Sequence, residues 1–441
     1  MTTVKNHLLR IALSAALAGV LTATASPQTI EQGYASKLTD LPSNASQTLD
    51  LGAATVYFTG TDLVLAQGTT TRSLLQFPKS VFGSFTIRAA AGALLFGEST
   101  DGGIWWVPLD AANKPRQLGT IKLNYSAALY NRRWAIVSGK TGGFAAKDND
   151  LIAIDLTNGT QDQIAVLPGA SGPITVGRNG DLYYATASAS FPPPKGFSDI
   201  VKFPAARVRS AFGATHLGMS DGVVLYQGID AAGSLVSDRD GDLFLTDWVN
   251  DNIVEISDVD GKAPRASTLA SYTGSSVSAS GLQFVPSAAN RYDQQFEPFQ
   301  RSGTGRLVVH ESDFTSISRL RKLSPRRAHI EGSKGNKIPK ATAFDLIVKN
   351  GMTSGTGFVL VGMGQSSSEA ILHRPFEAPI LWSKMLLQPI LIAPVAFDSK
   401  GEATLGLYNP GFSNPLSLTT QSYFETGVSA GSSEPTNLVL Q

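Results

Sequence analysis

The 441-residue sequence contains no cysteine. Disulfides, thiolate metal sites and a cysteine nucleophile are thereby excluded, and stability has to come from packing. Long hydrophobic runs are also missing beyond the N-terminus. The greasiest later stretch, residues 379–395, is interrupted by Pro379, Lys384, Pro389 and Pro394, whereas a membrane span needs about twenty apolar residues in succession. There is no excess of one charge: 36 basic side chains face 35 acidic ones, so no global field draws in nucleic acid or an anionic membrane. Histidine is scarce, and no Gly-x-Ser-x-Gly elbow, His-Glu-x-x-His pair or phosphate-cradling glycine loop occurs. What is abundant is glycine and short β-branched runs. With 42% hydrophobic residues the chain is long enough for two all-β domains with cores of their own.

The first residues carry Lys5 and Arg10, then an apolar run over 11–21, then Ala23-Thr24-Ala25. That order of charge, grease and small residues is a secretory signal peptide, residues 1–25, cleaved after Ala25. About eleven apolar residues are too few to anchor the chain. The sequence therefore predicts a secreted or periplasmic protein with no membrane span after cleavage.

The clearest local pattern is SDRDGDLFLTDWVNDNIVEI, residues 237–256. It reads as a strand, an Asp-Gly hairpin at Asp240 and Gly241, a second strand, a polar turn and a third strand. The second strand recurs as DLVLAQ (62–67), ALLFGE (93–98), RWAIVS (133–138), DLYYAT (181–186), DLFLTD (242–247) and RLVVHE (306–311). The third follows each time, as SLLQF (73–77), GIWWV (103–107), DLIAI (150–154), DIVKF (199–203), NIVEI (252–256) and SISRL (316–320). Inner strands lie upstream near Phe85 and Ile174, and a fourth strand lies downstream near Leu118. Four short strands repeated about every 45 residues make propeller blades. The expected fold is a six-bladed β-propeller over 48–324, after a lead-in at 26–47. A basic, Gly/Lys/Pro-rich linker at 325–340 then leads to a small β-sandwich over 341–441.

Asp240, Gly241, Leu243, Asp247, Asn252, Ile253 and Ile256 resemble the NHL repeat, partially matched again at Gly180 and Asp181. Across about 275 residues the chain resembles NHL-type and gluconolactonase-like propellers, which host many unrelated functions. The final domain, with Asp398-Ser399-Lys400-Gly401 between strands, is similar to a module of secreted planctomycete and other environmental bacterial proteins.

In the aligned frame, the second strands end in Gln67, Glu98, Ser138, Thr186, Asp247 and Glu311, all polar, on the face where propellers usually bind ligands. Glu98, Asp247 and Glu311 could furnish oxygen ligands for Ca²⁺, and His310 could act as a general base. Gln67, Ser138, Thr186 and Phe191, in the loop with Pro192 to Pro194, would contact a ligand. Equally, polar residues end strands because they cap a solvated turn. The gluconolactonase resemblance implies an Asp-Gly pair opening one inner strand as a metal ligand. Here that position reads Ala231-Ala232-Gly233, and the other openings offer only Asn124 as an oxygen donor. Two functions follow. One is a non-catalytic exported binding or scaffold protein for a peptide, glycan or small molecule. The alternative is a metal-dependent, lactonase-like hydrolase or lyase.

Overall fold

The computed structural model describes residues 29–30, 34–89, 92–143, 147–177, 179–190, 192–214, 216–237, 242–257, 259, 264–285, 306–325, 329–335, 337–349, 355–371, 382–399, 402–425, 430–432 and 436–441. The expected signal peptide, Phe191, Asp240 and Gly241 lie outside them. The described chain divides into two compact units, one over 37–322 with the N-terminal segment to Ile30, the other over 323–441 with residues 31–36.

The first unit is a β-propeller. Among the described residues it contains six antiparallel sheets of four or five strands, ordered by sequence from an inner strand outward except for the outermost strands of the last two. The inner strands are Ser46–Asp50, Gly83–Ala89, Ser126–Leu129, Ile174–Val176, Ala232–Ser237 and Ser278–Val285. Each packs on the next, and the sixth returns to the first, so the ring is closed.

Closure explains the strand sequences. Ala93–Glu98 is buried along its whole length because both faces of its sheet are covered. Leu94 and Phe96 pack toward the first blade with Val56, Phe58 and Leu63. Leu95, on the other face, packs toward the third blade with Val137 and Ile152. The same split separates Tyr184 from Tyr183 in the fourth blade. Each fully buried side chain of this size contributes on the order of 1.5–3 kcal/mol. An aromatic cluster joins the first two blades: Phe77 meets Phe58 edge-on at 5.9 Å and Trp105 at 5.6 Å.

Two sequence expectations need correction here. In the first blade the second strand is Thr55–Phe58, and Asp62–Gln67 is the third, paired with Thr70–Gln76. The alternation of DLVLAQ fits either position, so pattern alone could not set the frame. The segment 26–47 is also more than a lead-in. Thr29–Ile30 pairs with the outer strand of the fifth blade, and Tyr34–Asp40 is the outer strand of the sixth. The chain's beginning thus completes its last blades. Between the third and fourth strands of the fourth blade lies one short helix, Ala205–Ala211, with Val208 and Ala211 buried. Their i, i+3 spacing between Pro204 and Gly213 was its sequence signal.

The second unit has a three-stranded sheet of His329–Gly332, Thr342–Lys349 and Ala403–Asn409, and a larger sheet that includes Thr356–Ile371, Leu416–Glu425 and Thr436–Leu440. One apolar cluster draws Phe344, Leu346 and Val348 from the first and Val359, Val361 and Leu438 from the second, the layering of a sandwich. The expected linker at 325–340 carries two strands, His329–Gly332 and Lys337–Ile338, because Ile330 and Ile338 enter this core. Trp382–Ala396 runs as one strand through Pro389 and Pro394 because it is a sheet edge, where a missing N–H is tolerated.

Candidate functional site

In every blade the start of the inner strand lies beside the end of the second: Ser46 pairs with Phe58, Gly83 with Glu98, Ser126 with Ser138, Ala232 with Asp247 and Ser278 with Ser312. The turns after the second strands and the loops opening the inner strands therefore share one face around the axis. Glu98, Ser138, Thr186, Asp247 and Glu311 stand there. Gln67 does not: it ends a third strand, which runs the other way, and sits exposed at the tip of the outer hairpin.

The five residues that share the face are engaged by groups of their own or an adjacent blade. The buried Glu98 carboxylate accepts the N–H groups of Gly103 and, at 2.9 Å, Asp101, closing its turn. The Ser138 hydroxyl, fully buried, donates to Asn149 Oδ1 at 3.2 Å. Thr186 Oγ1 accepts the Asp199 N–H at 2.9 Å. Asp247 accepts Asn250 Nδ2 at 2.8 Å and the N–H groups of Ala231 and Val249 at 3.2 and 3.3 Å. Glu311 accepts the Tyr272 hydroxyl at 2.8 Å, Arg319 Nε at 2.6 Å and Arg321 Nε. Burial works to raise the Glu311 pKa, but the donors Arg321, Arg319 and Tyr272 outweigh it and the net shift is downward. Among the described residues no three His, Asp or Glu side chains gather as a metal cage. The expected grouping of Glu98, Asp247 and Glu311 is thus not formed, because each carboxylate is taken up by closer donors, which for Glu311 include Tyr272 of the neighbouring blade. Asn124 is spent likewise: its amide donates to the carbonyls of Glu98 and Ile121 at 2.7 and 2.9 Å.

His310 is a strand bridge. Its Nδ1 lies 2.8 Å from Ser280 Oγ on the inner strand, and its Nε2 lies 2.9 Å from Ser318 Oγ on the third strand. Ser318 gives its only proton to the Ala45 carbonyl at 2.9 Å, so it accepts from Nε2–H and leaves Nδ1 as acceptor. Burial lowers the His310 pKa to about 4 against the opposing Glu311 charge. The imidazole is therefore neutral and a weak base near pH 7, which removes the expected acid–base role.

Beyond Phe191, sequence reasoning overlooked the aromatic residues of this face. Phe82, Phe197, Trp248 and Phe314 are exposed, Trp248 by 56% and Phe314 by 69%. Their signal was an apolar residue inside a polar turn, as in Asp247-Trp248-Val249 and Asp313-Phe314-Thr315. A Cβ on Gly233 would lie 1.7 Å from Trp248 Nε1, so the indole rests on the opening of the fifth inner strand. Into the same strand, Tyr125 of the third blade donates its hydroxyl to the Gly233 carbonyl at 2.8 Å. Blades three and five are not neighbours, so the phenol reaches past the inner strand of the fourth blade to make this bond. Burial pushes its pKa up, and it stays a donor.

No protein-family model matches the sequence, and no curated protein matches it. Three similar solved structures are a protein assigned as a gluconolactonase, the calcium-binding protein regucalcin from Agrobacterium tumefaciens, and virginiamycin B lyase from Staphylococcus aureus. The first is 10% identical over 67% of this chain and 93% of that one, with a TM-score of 0.43. Regucalcin is 10% identical over 65% and 92%, at 0.39. The lyase is 10% identical over 66% and 99%, at 0.38.

Proposed function

We propose that this is an exported, non-catalytic binding protein that holds a glycan, peptide or small molecule at the mouth of the propeller axis, beside Tyr125 and against Trp248, with Phe82 and Phe314 at the rim. One observation carries the reading. All four exposed aromatic side chains of the propeller, among the described residues, stand on loops of this one face. Exposed aromatic surface costs solvation, and its concentration on a rigid ring of loops is the usual form of a binding surface. The signal-peptide pattern supports export, and the C-terminal unit would assist presentation.

The alternative is a metal-dependent hydrolase or lyase, favoured by the names of the similar structures. Against it stand the engagement of the three carboxylates and the low basicity of His310. Two measurements decide. Binding of the purified chain to a glycan array and a peptide library is expected to give discrete signals that survive chelation and are lost in Trp248→Ala/Phe314→Ala. Signals indifferent to that double substitution would displace the site from this face. A rise in melting temperature with Ca²⁺ or Mn²⁺ would favour the alternative, since an ion held only by the native state stabilises by mass action.

A further inference from the structure

At the opposite end of the propeller, between the third and fourth blades, lies an open groove of about 870 Å³. This is within the roughly 300–1,000 Å³ of small-molecule sites. Its walls are the turn with Tyr130 and Asn131, Trp134 and Gln161 of the third blade, and Phe212 and Arg209 from the short helix and its exit. Phe212 stacks on Tyr130, centroids 5.1 Å apart at 28°, and meets Trp134 at 5.4 Å and 68°. The rings thus fix one another in an angled apolar cradle. Arg133, paired with Asp155 at 2.7 Å, lies 5.3 Å from the Trp134 ring centre and braces it from the side.

The polar groups at the rim are specific. Asn131 Oδ1 is held by the N–H groups of Arg133 and Trp134, both at 2.8 Å, which fixes the orientation of the side chain and leaves Nδ2 as its donor. Gln161 turns its amide the other way, over Gly119 of the second blade. Asp162 is engaged by the Gly213 N–H at 2.6 Å. Arg209 is exposed and makes no hydrogen bond or ion pair among the described residues, although its charge acts on the Tyr130 phenol. A peptide could not add as a strand here, because the adjoining sheet edge is covered by Leu217, whose N–H donates to the Ile164 carbonyl at 2.7 Å.

We infer that this groove is a second binding site, independent of the axial one, for an acidic sugar. The C–H face of a pyranose would lie on the Tyr130–Phe212–Trp134 cradle. The amide of Asn131 would meet a ring hydroxyl, and the guanidinium of Arg209 would take the carboxylate, a pairing its fork geometry suits.

Calorimetric titration of the full chain with cellobiouronic acid and with cellobiose, which differ by one carboxylate, tests the assignment. The acid is expected to bind roughly tenfold more tightly, the size of one charge-assisted hydrogen-bonded pair. Arg209→Gln should erase the difference and Arg209→Lys restore part of it. Phe212→Leu should weaken both sugars. Equal affinities for the two sugars, absence of binding by the acid at millimolar concentration, or an acid preference that persists in Arg209→Gln would each overturn the proposal.

Discussion

At the residue scale, polar side chains that look catalytic in sequence are structural here when local donors reach them first. His310 gives this a measurable form. Its folded pKa of about 4 lies below the 6.5 of the unfolded chain, so below pH 6.5 the unfolded state takes up a proton that the native state refuses. The stability involved is fully present above pH 6.5 and is lost progressively as pH falls toward 4, reaching roughly 3 kcal/mol. Urea unfolding between pH 7 and 5 is expected to show that decline, and His310→Gln to flatten it. An unchanged slope in the variant would mean that the imidazole is not the group responsible. Which residues were polar and which ended strands was legible in the sequence for five of the six positions. That Glu311 faces Tyr272, Arg319 and Arg321 was not, because Tyr272 comes from a neighbouring blade.

At the element scale, hairpin order was readable because each blade is local in sequence. The inner strands opening at Gly83, Ile174 and Ala232 fall where the pattern placed them. The first blade was misframed because its connections are short and all its strands alternate alike. The N-terminal strands escaped notice for a different reason: their partners lie more than 200 residues away. Tyr34–Asp40 supplies the outer strand of the sixth blade, and Leu41 packs on Val285, Val308 and Leu320. Deleting residues 29–40 bares the edge of that blade and the flank of its core. The expected result is unfolding at lower urea concentration, together with a smaller m-value, since less surface remains to be exposed. Retention of the full-length midpoint would show that these strands do not close the ring.

At the scale of the whole molecule, the propeller depends on the joint between its last blade and its first. The Gln283 amide accepts the Asp50 N–H at 2.7 Å and donates to the Asp50 carbonyl at 3.1 Å, a side chain standing in for a strand partner across that joint. Lys322 adds an ion pair to Asp50 at 3.0 Å. Gln283→Ala leaves two backbone groups of a half-buried segment without these partners, and should cost about 1–3 kcal/mol. Fluorescence and far-ultraviolet circular dichroism should shift together in urea, because opening one joint exposes every blade in turn; a shift seen by one probe alone would mean that the blades unfold separately. The sequence by itself determined the β class, the repeated strand order and the strand faces, because alternation and turn chemistry act between residues close along the chain. Only the tertiary structure decided which carboxylates are consumed, where the exposed rings collect, and that Arg209 joins an aromatic groove. Those outcomes depend on contacts between blades, and ring closure brings together residues that no local pattern relates.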